Sequence, residues 1–174
     1  VIRNDFGFDW PNQGHHLNSA TLDYRFAAAG PDHAQVAACA GMADYMEDLS
    51  AHHGGGEGAK AARKAHDLMR DAEVALLQPL LDYVSAKNSV RLIGPADATR
   101  RAPTVALAVQ ENAEDLAAKL APMGIMAGGG DFYAQRPLTA MGVDMAKGVL
   151  RLSFTHYTEK QDVDRLMSAL DRVL

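Results

Sequence analysis

Val36, Ala40, Ala43 and Met46 fall three or four residues apart in an alanine-rich stretch that follows Asp32. That spacing predicts a helix from His33 to about Leu49, with the aspartate as its cap. HHGGGEG at 52–58 breaks it. A longer helix is predicted from about Glu57 to Lys87, on Leu68, Ala72, Leu76, Leu80 and Val84, with a kink at Pro79. Two β-branched runs follow, VRLIG (90–94) and TVALAV (104–109), separated by the turn-like PADATRRAP. Asn112 then caps a helix through about Met123. GIMA (124–127) suits a short strand, and the glycines after it lead into a helix from about Asp131 to Met141. In VLRLSF (149–154), Leu150, Leu152 and Phe154 alternate with Val149, Arg151 and Ser153, so one face of this strand is apolar. The last helix has a stripe of Val163, Leu166, Met167, Leu170, Val173 and Leu174. Thr158 and Gln161 have the spacing of a capping box before it.

From Val90 the predicted order is strand, strand, helix, short strand, helix, strand, helix, which suits a small sheet with helices packed on one side. Residues 1–30 have no periodicity, and Asn12, Gly14, His15, His16, Asn18 and Ser19 read as an irregular arm. So long an irregular opening, starting at Val1 and not at Met, leads to the expectation that the sequence is a piece of something larger.

Composition narrows the function. The 174 residues suit one domain with an extra arm, and 48% apolar residues are enough for a core. A formal charge of −5 without clustered Lys or Arg argues against nucleic acid. No apolar run approaches a membrane span, and the N-terminus has no signal-peptide pattern. Cys39 lies in VAACAGM and reads as a small buried thiol. These features fit a cytoplasmic protein. The pairs His15-His16 and His52-His53 cannot easily converge on one metal, and no zinc spacing, nucleophile elbow, phosphate loop or HExxH occurs, so no metal is expected. Arg100-Arg101 reads as a solvated turn, and His156-Tyr157 as a strand-to-helix junction with cap and packing roles. Two segments join flexible backbone to a helix start, where free N–H groups favour an anion: AAAGPDH (27–33) and GGGDFYAQR (128–136).

Together these segments carry a resemblance. YRFAAAGPDHAQVAACAGMADYMEDL resembles the R-F-E-x-G-T/G-P-N segment and following Ala/Gly-rich helix of class V aminotransferases, the cysteine desulfurase group. GIMAGGGDFYAQRPLTAMGVDMAKGVLRLSFTHYTEKQDVDRLMSAL is similar to the family's G-I-x-V-R-x-G and V-x-R-x-S-x-x-H-Y-N-T-x-E-E-V-D-R-L patterns. THYTEKQDVDRLMSAL is the most specific part, and the likeness runs from about Tyr24 to Leu174. FYA at 132–134 is similar to a subgroup that has no cysteine in this loop.

The resemblance implies a pyridoxal-phosphate enzyme of fold type I acting on an amino acid as a homodimer. It implies that residues 31–174 are its small C-terminal domain, α+β, with a short, mainly antiparallel sheet flanked by helices, after the arm at 1–30. The cofactor lysine of this family stands in a Ser-x-His-Lys motif, and no lysine here follows a histidine. No catalytic residue is therefore expected in this chain, which is expected to be inactive alone. Ala29 and Gly30 stand where many members have a Gly-Thr that reaches the phosphate of the neighbouring subunit's cofactor. Gly128 stands where the family has the arginine that grips the substrate carboxylate, and Tyr133 where desulfurases have their nucleophilic cysteine. The substrate-side candidates are thus Gly128, Asp131, Tyr133 and Arg136. Asp131 is expected to cap the following helix, Tyr133 to pack, and Arg136 to stand in for the missing arginine. Loss of the cysteine points to an aminotransferase, lyase or racemase before a true desulfurase. The alternative reading is a non-catalytic dimerisation or interaction module that keeps the fold without the chemistry.

Overall fold

The computed structural model describes Pro11 and residues 32–174. Apart from Pro11, the predicted arm, with Ala29-Gly30, lies outside the described residues. The chain forms two compact units, 1–65 and 66–174.

In the first unit, helix α1 spans His33–His52. Asp32 caps it as expected, its carboxylate accepting from the N–H groups of Ala34 (3.0 Å) and Gln35 (3.1 Å). Most of the helix is exposed, with Met46 and Leu49 half-buried; Ser50 is buried and its hydroxyl donates to the Gly56 carbonyl (3.2 Å). The break at 52–58 is tight: a Cβ on Gly55 would collide with Ser50. Cys39 is exposed, contrary to the expectation of a buried thiol. Alanines supply too little apolar surface to draw its face into a core. Helix α2 begins here and spans Ala59–Ser85, within two residues of its predicted ends and unbroken at Pro79.

The second unit is built on a four-stranded sheet. Its strands are β1 (Val90–Ile93), β2 (Thr104–Val109), β3 (Gly128–Gly130) and β4 (Val149–Ser153). The order is β1-β2-β4-β3 and every pairing is antiparallel. Between the strands lie α3 (Ala113–Leu120) and α4 (Gln135–Ala140), and α5 (Lys160–Leu170) follows β4. The main core joins Val105, Leu107 and Val109 of β2 and Leu150 and Leu152 of β4 to helical leucines. These come from Leu77, Leu80 and Leu81 of α2, Leu116 and Leu120 of α3, and Leu166 and Leu170 of α5. The period-two pattern of the strands meets the period-3.6 stripes of the helices, so one sheet face is fully covered.

Several expectations are corrected. The opposite sheet face is also covered: Ile93, Val149, Ala106 and Ala108 pack with Leu138 of α4, Val143 and Phe132. Val149, assigned by alternation to the polar face, is therefore buried. GIMA is not a strand; the glycines themselves form β3. The α3 helix is capped by Asn112 but ends at Leu120 and tightens into a 3₁₀ turn, Ala121–Met123. The capping box of α5 is Glu159 with Asp162, one residue later than expected. The Thr158 hydroxyl is already used, accepting from the Thr155 N–H at 3.1 Å. Arg101 is half-buried, and it closes the β1–β2 connection by donating to the carbonyls of Pro95 (2.6 Å) and Thr104 (2.8 Å). Its burial depresses the guanidinium pKa.

Candidate functional site

The stretch GGGDFYAQRP begins as the edge strand β3, with Gly128 opposite Arg151, Gly129 opposite Leu150 and Gly130 opposite Val149. Each glycine has its own reason. A Cβ on Gly129 would land inside the backbone of Ala113 and Glu114, so β3 lies directly against the start of α3. Gly130 has φ 131°, a conformation open to glycine. A Cβ on Gly128 would stand 3.0 Å from the ring of Phe132, which folds back over it.

After β3 the chain turns sharply. The Asp131 carboxylate accepts from the Tyr133 N–H (2.9 Å) and the Gln135 amide (2.7 Å). The Ala134 N–H donates to the Asp131 carbonyl (2.8 Å). The Gln135 amide, then the Tyr133 N–H, hold the Asp131 carboxyl below the usual carboxylate range. Asp131 thus builds the turn and is not the helix cap; α4 starts later, at Gln135, with Ala134 before it. The delay has a visible cause: Phe132 (φ 50°) and Tyr133 (φ 60°) are both left-handed. Each such residue costs about 1–2 kcal/mol when it carries a Cβ.

The two aromatics then diverge. The Phe132 ring joins the small apolar cluster and lies 4.0 Å from the Arg151 guanidinium. Tyr133 is 103% exposed, which overturns the expectation that it packs. Arg136 is exposed on α4 and lines a shallow depression with Tyr133, Gln135 and Pro137. Tyr133 and Arg136 do come together, but on a surface and not on one side of a helix, because Tyr133 precedes α4.

Arg151 was not among the predicted residues. It projects from β4 on the face that carries Val149, and no carboxylate pairs with it among the described residues. A signal was present in the sequence: it is the one charged residue of the segment VLRLSF. A second, polar cleft at the end of β3 is lined by Asn112, Glu114, Gly130, Asp131 and Lys147 among others. His156 and Tyr157 are exposed, their rings edge to face at 5.2 Å. Among the described residues no group of three or more His, Cys, Asp or Glu could hold a metal, and no helix is long and apolar enough to cross a membrane.

A four-stranded antiparallel sheet with helices on both faces and a glycine edge strand defines an α+β domain. The chain belongs to the aminotransferase class-V family, whose model matches residues 11–166. Its fold is similar to that of the apo cysteine desulfurase from Thermococcus onnurineus NA1, with a TM-score of 0.72 and 20% identity over 99% of this chain. It is also similar to the cysteine desulfurase CsdA from Escherichia coli (TM-score 0.51, 24% identity, 68% of this chain). The NifS-like protein from Rickettsia africae ESF-5 is a further relative in fold (0.51, 17%, 66%). The chain spans 41%, 31% and 32% of those three chains respectively. No curated protein matches the sequence.

The resemblance to this family raises pyridoxal phosphate, which needs a lysine for its Schiff base and a carboxylate at its ring nitrogen. The lysines here do not fit. Lys87, Lys119 and Lys160 are engaged by Asp171, Glu111 and Asp164 at 2.6–2.7 Å. Lys60 and Lys64 are exposed on α2. Lys147 is half-buried, but its cleft offers Glu114 and Asp131 without an arginine for a phosphate or an aromatic to stack a ring.

Proposed function

We propose that the chain is the small C-terminal domain, residues 31–174 after an arm at 1–30, of a class V pyridoxal-phosphate enzyme that acts on an amino acid. The lysine that carries the cofactor belongs to a portion outside this sequence. The parent is a cytoplasmic homodimer in which Ala29 and Gly30 approach the phosphate of the neighbouring subunit's cofactor. The loop from Gly128 to Arg136 forms the rim of the site.

One observation carries this reading. Tyr133 is held at a strained φ with its ring wholly in solvent, so its own side chain gains no packing in return for that strain. A residue kept against its own stability points to a role in function. On β4, Arg151 lies over the Phe132 ring, and no carboxylate pairs with its N–H fork among the described residues. A planar fork on a rigid element suits the carboxylate of an amino acid. Arg136, on an exposed helix of six residues, is the less restrained of the two arginines. This domain binds and orients; it supplies no proton-transfer group of its own.

The test has two parts. The coding sequence upstream of Val1 should encode a Ser-x-His-Lys motif, and a stop codon followed by a start codon there would favour an interaction module. In the full-length enzyme, Arg151→Ala should raise KM for the amino acid at least tenfold, about 1.4 kcal/mol. Cofactor binding should be intact, and Arg136→Ala should have the smaller effect. An unchanged KM in both variants removes the loop and β4 from the substrate site.

A further inference from the structure

We infer that Phe132 is a positioning residue whose ring is the platform that fixes the plane of the Arg151 guanidinium. This rests on the reading of Arg151 as the carboxylate-binding group. The guanidinium carbon lies 4.0 Å from the ring centroid, a stacking distance at which the negative face of the ring attracts the cation. One face of the fork is then covered, while its edge, where the N–H groups point, is left for a ligand.

Three further features of the chain converge on this contact. Gly128 is the cross-strand partner of Arg151, and it is the residue over which the Phe132 ring folds. Any side chain at 128 would start 3.0 Å from that ring and crowd it, so that the ring would have to give by a few tenths of an ångström. The left-handed backbone at Phe132 and Tyr133 turns the chain back on itself and aims the ring at β4. The Asp131 carboxylate, bonded to the Tyr133 N–H and to Gln135, holds that turn shut. Gly128, Asp131, Phe132 and Arg151 therefore act as one unit. An arginine with no ring against it samples many rotamers, and a stacked one meets a carboxylate with its fork already oriented.

The simpler role for Phe132 is to fill the small cluster with Leu138, Val143 and Val149, and the experiment separates the two. The 174-residue chain is labelled with nitrogen-15, and the Arg151 Nε–Hε signal is followed during titration with L-alanine. The wild type should show a ring-current-shifted, ordered signal that responds saturably. Phe132→Leu keeps the apolar volume; it should lose the shift and the order, and bind L-alanine roughly two- to fivefold more weakly. Phe132→Tyr should restore both, and Arg151→Gln should abolish the response. A Phe132→Leu protein that binds as the wild type does, with Arg151→Gln inactive, overturns the platform and leaves the Arg151 reading standing. No saturable response in the wild type, or an undiminished one in Arg151→Gln, overturns the Arg151 reading and the platform with it.

Discussion

Gly129 and Tyr133 make opposite demands on one loop. Gly129 has no room for a side chain, since a Cβ would enter the backbone at the start of α3. Gly129→Ala should therefore cost about 2–3 kcal/mol, the upper range for overpacking, because backbone cannot rotate aside. A chemical-denaturation midpoint equal to that of the wild type would show that the strand and helix can part freely. Tyr133 has unlimited room but a disfavoured φ of 60°. Tyr133→Gly should stabilise by about 1 kcal/mol, a rise in Tm of about 2–4 °C. A lower Tm would mean that the exposed ring contributes stability, and the case for a functional Tyr133 would lapse. The glycine run was legible as a place of close backbone approach. The left-handed turn after it was not, because aromatic residues adopt that conformation only when tertiary contacts impose it. The same turn explains why Asp131 misled: it has the chemistry of a helix cap, and here that chemistry closes a turn.

Among the elements, those with long stripes were read well and those with short ones were not. The stripe of α5 named Val163, Leu166 and Leu170, all buried. Its cap was missed by one residue because Thr158-Gln161 and Glu159-Asp162 both satisfy the spacing, and only the Thr155 turn decides between them. Three glycines have no side chains to alternate, so β3 carried no pattern at all. The end of α5 is tied to α2 by polar side chains that no periodicity announces. The Tyr83 hydroxyl donates to Asp171 Oδ1 at 2.7 Å, and Lys87 reaches the same oxygen at 2.7 Å while lying over the Tyr83 ring. Lys87, then Tyr83, hold the Asp171 carboxyl below its usual range, and Asp171 raises Lys87. Desolvation, then Asp171, raises Tyr83. The folded carboxyl is the stronger acid, so its contribution is complete above the unfolded carboxylate range and is lost as pH falls through the folded value. Lys87 and Tyr83 have raised values, so theirs is complete below their unfolded values and is lost as pH rises through the folded ones. The tie is thus at full strength across neutral pH. Asp171→Asn should lower Tm at neutral pH and flatten its fall on acidification. Parallel acid profiles for the two proteins would remove the tie from the stability of this unit.

At the scale of the whole molecule, α1 stands apart from the pattern of the other long elements. It is well capped and twenty residues long, yet Val36 is 62%, Met42 64% and Tyr45 45% exposed. A solitary exposed apolar residue requires no explanation, but several along one helix mark a surface that associates. The helix itself was legible but its exposure was not, since Ala, Val and Met at helical spacing read the same whether a core or a partner covers them. The relatives in fold are more than twice the length of this chain. A second copy is the cover at hand for the isolated chain. We therefore predict self-association through α1, with the arm at 1–30, which apart from Pro11 lies outside the described residues, contributing to it. Sedimentation velocity at rising concentration should show a dimer or larger species. The double variant Val36→Glu, Met42→Glu should shift it to monomer without changing the helical circular-dichroism signal, because neither side chain is buried. Charge placed on an apolar contact costs far more than charge placed in solvent, so the two outcomes are well separated. A wild-type chain that sediments as a monomer at high concentration would show that α1 is soluble as it stands, and its apolar residues would then lose their claim to a partner.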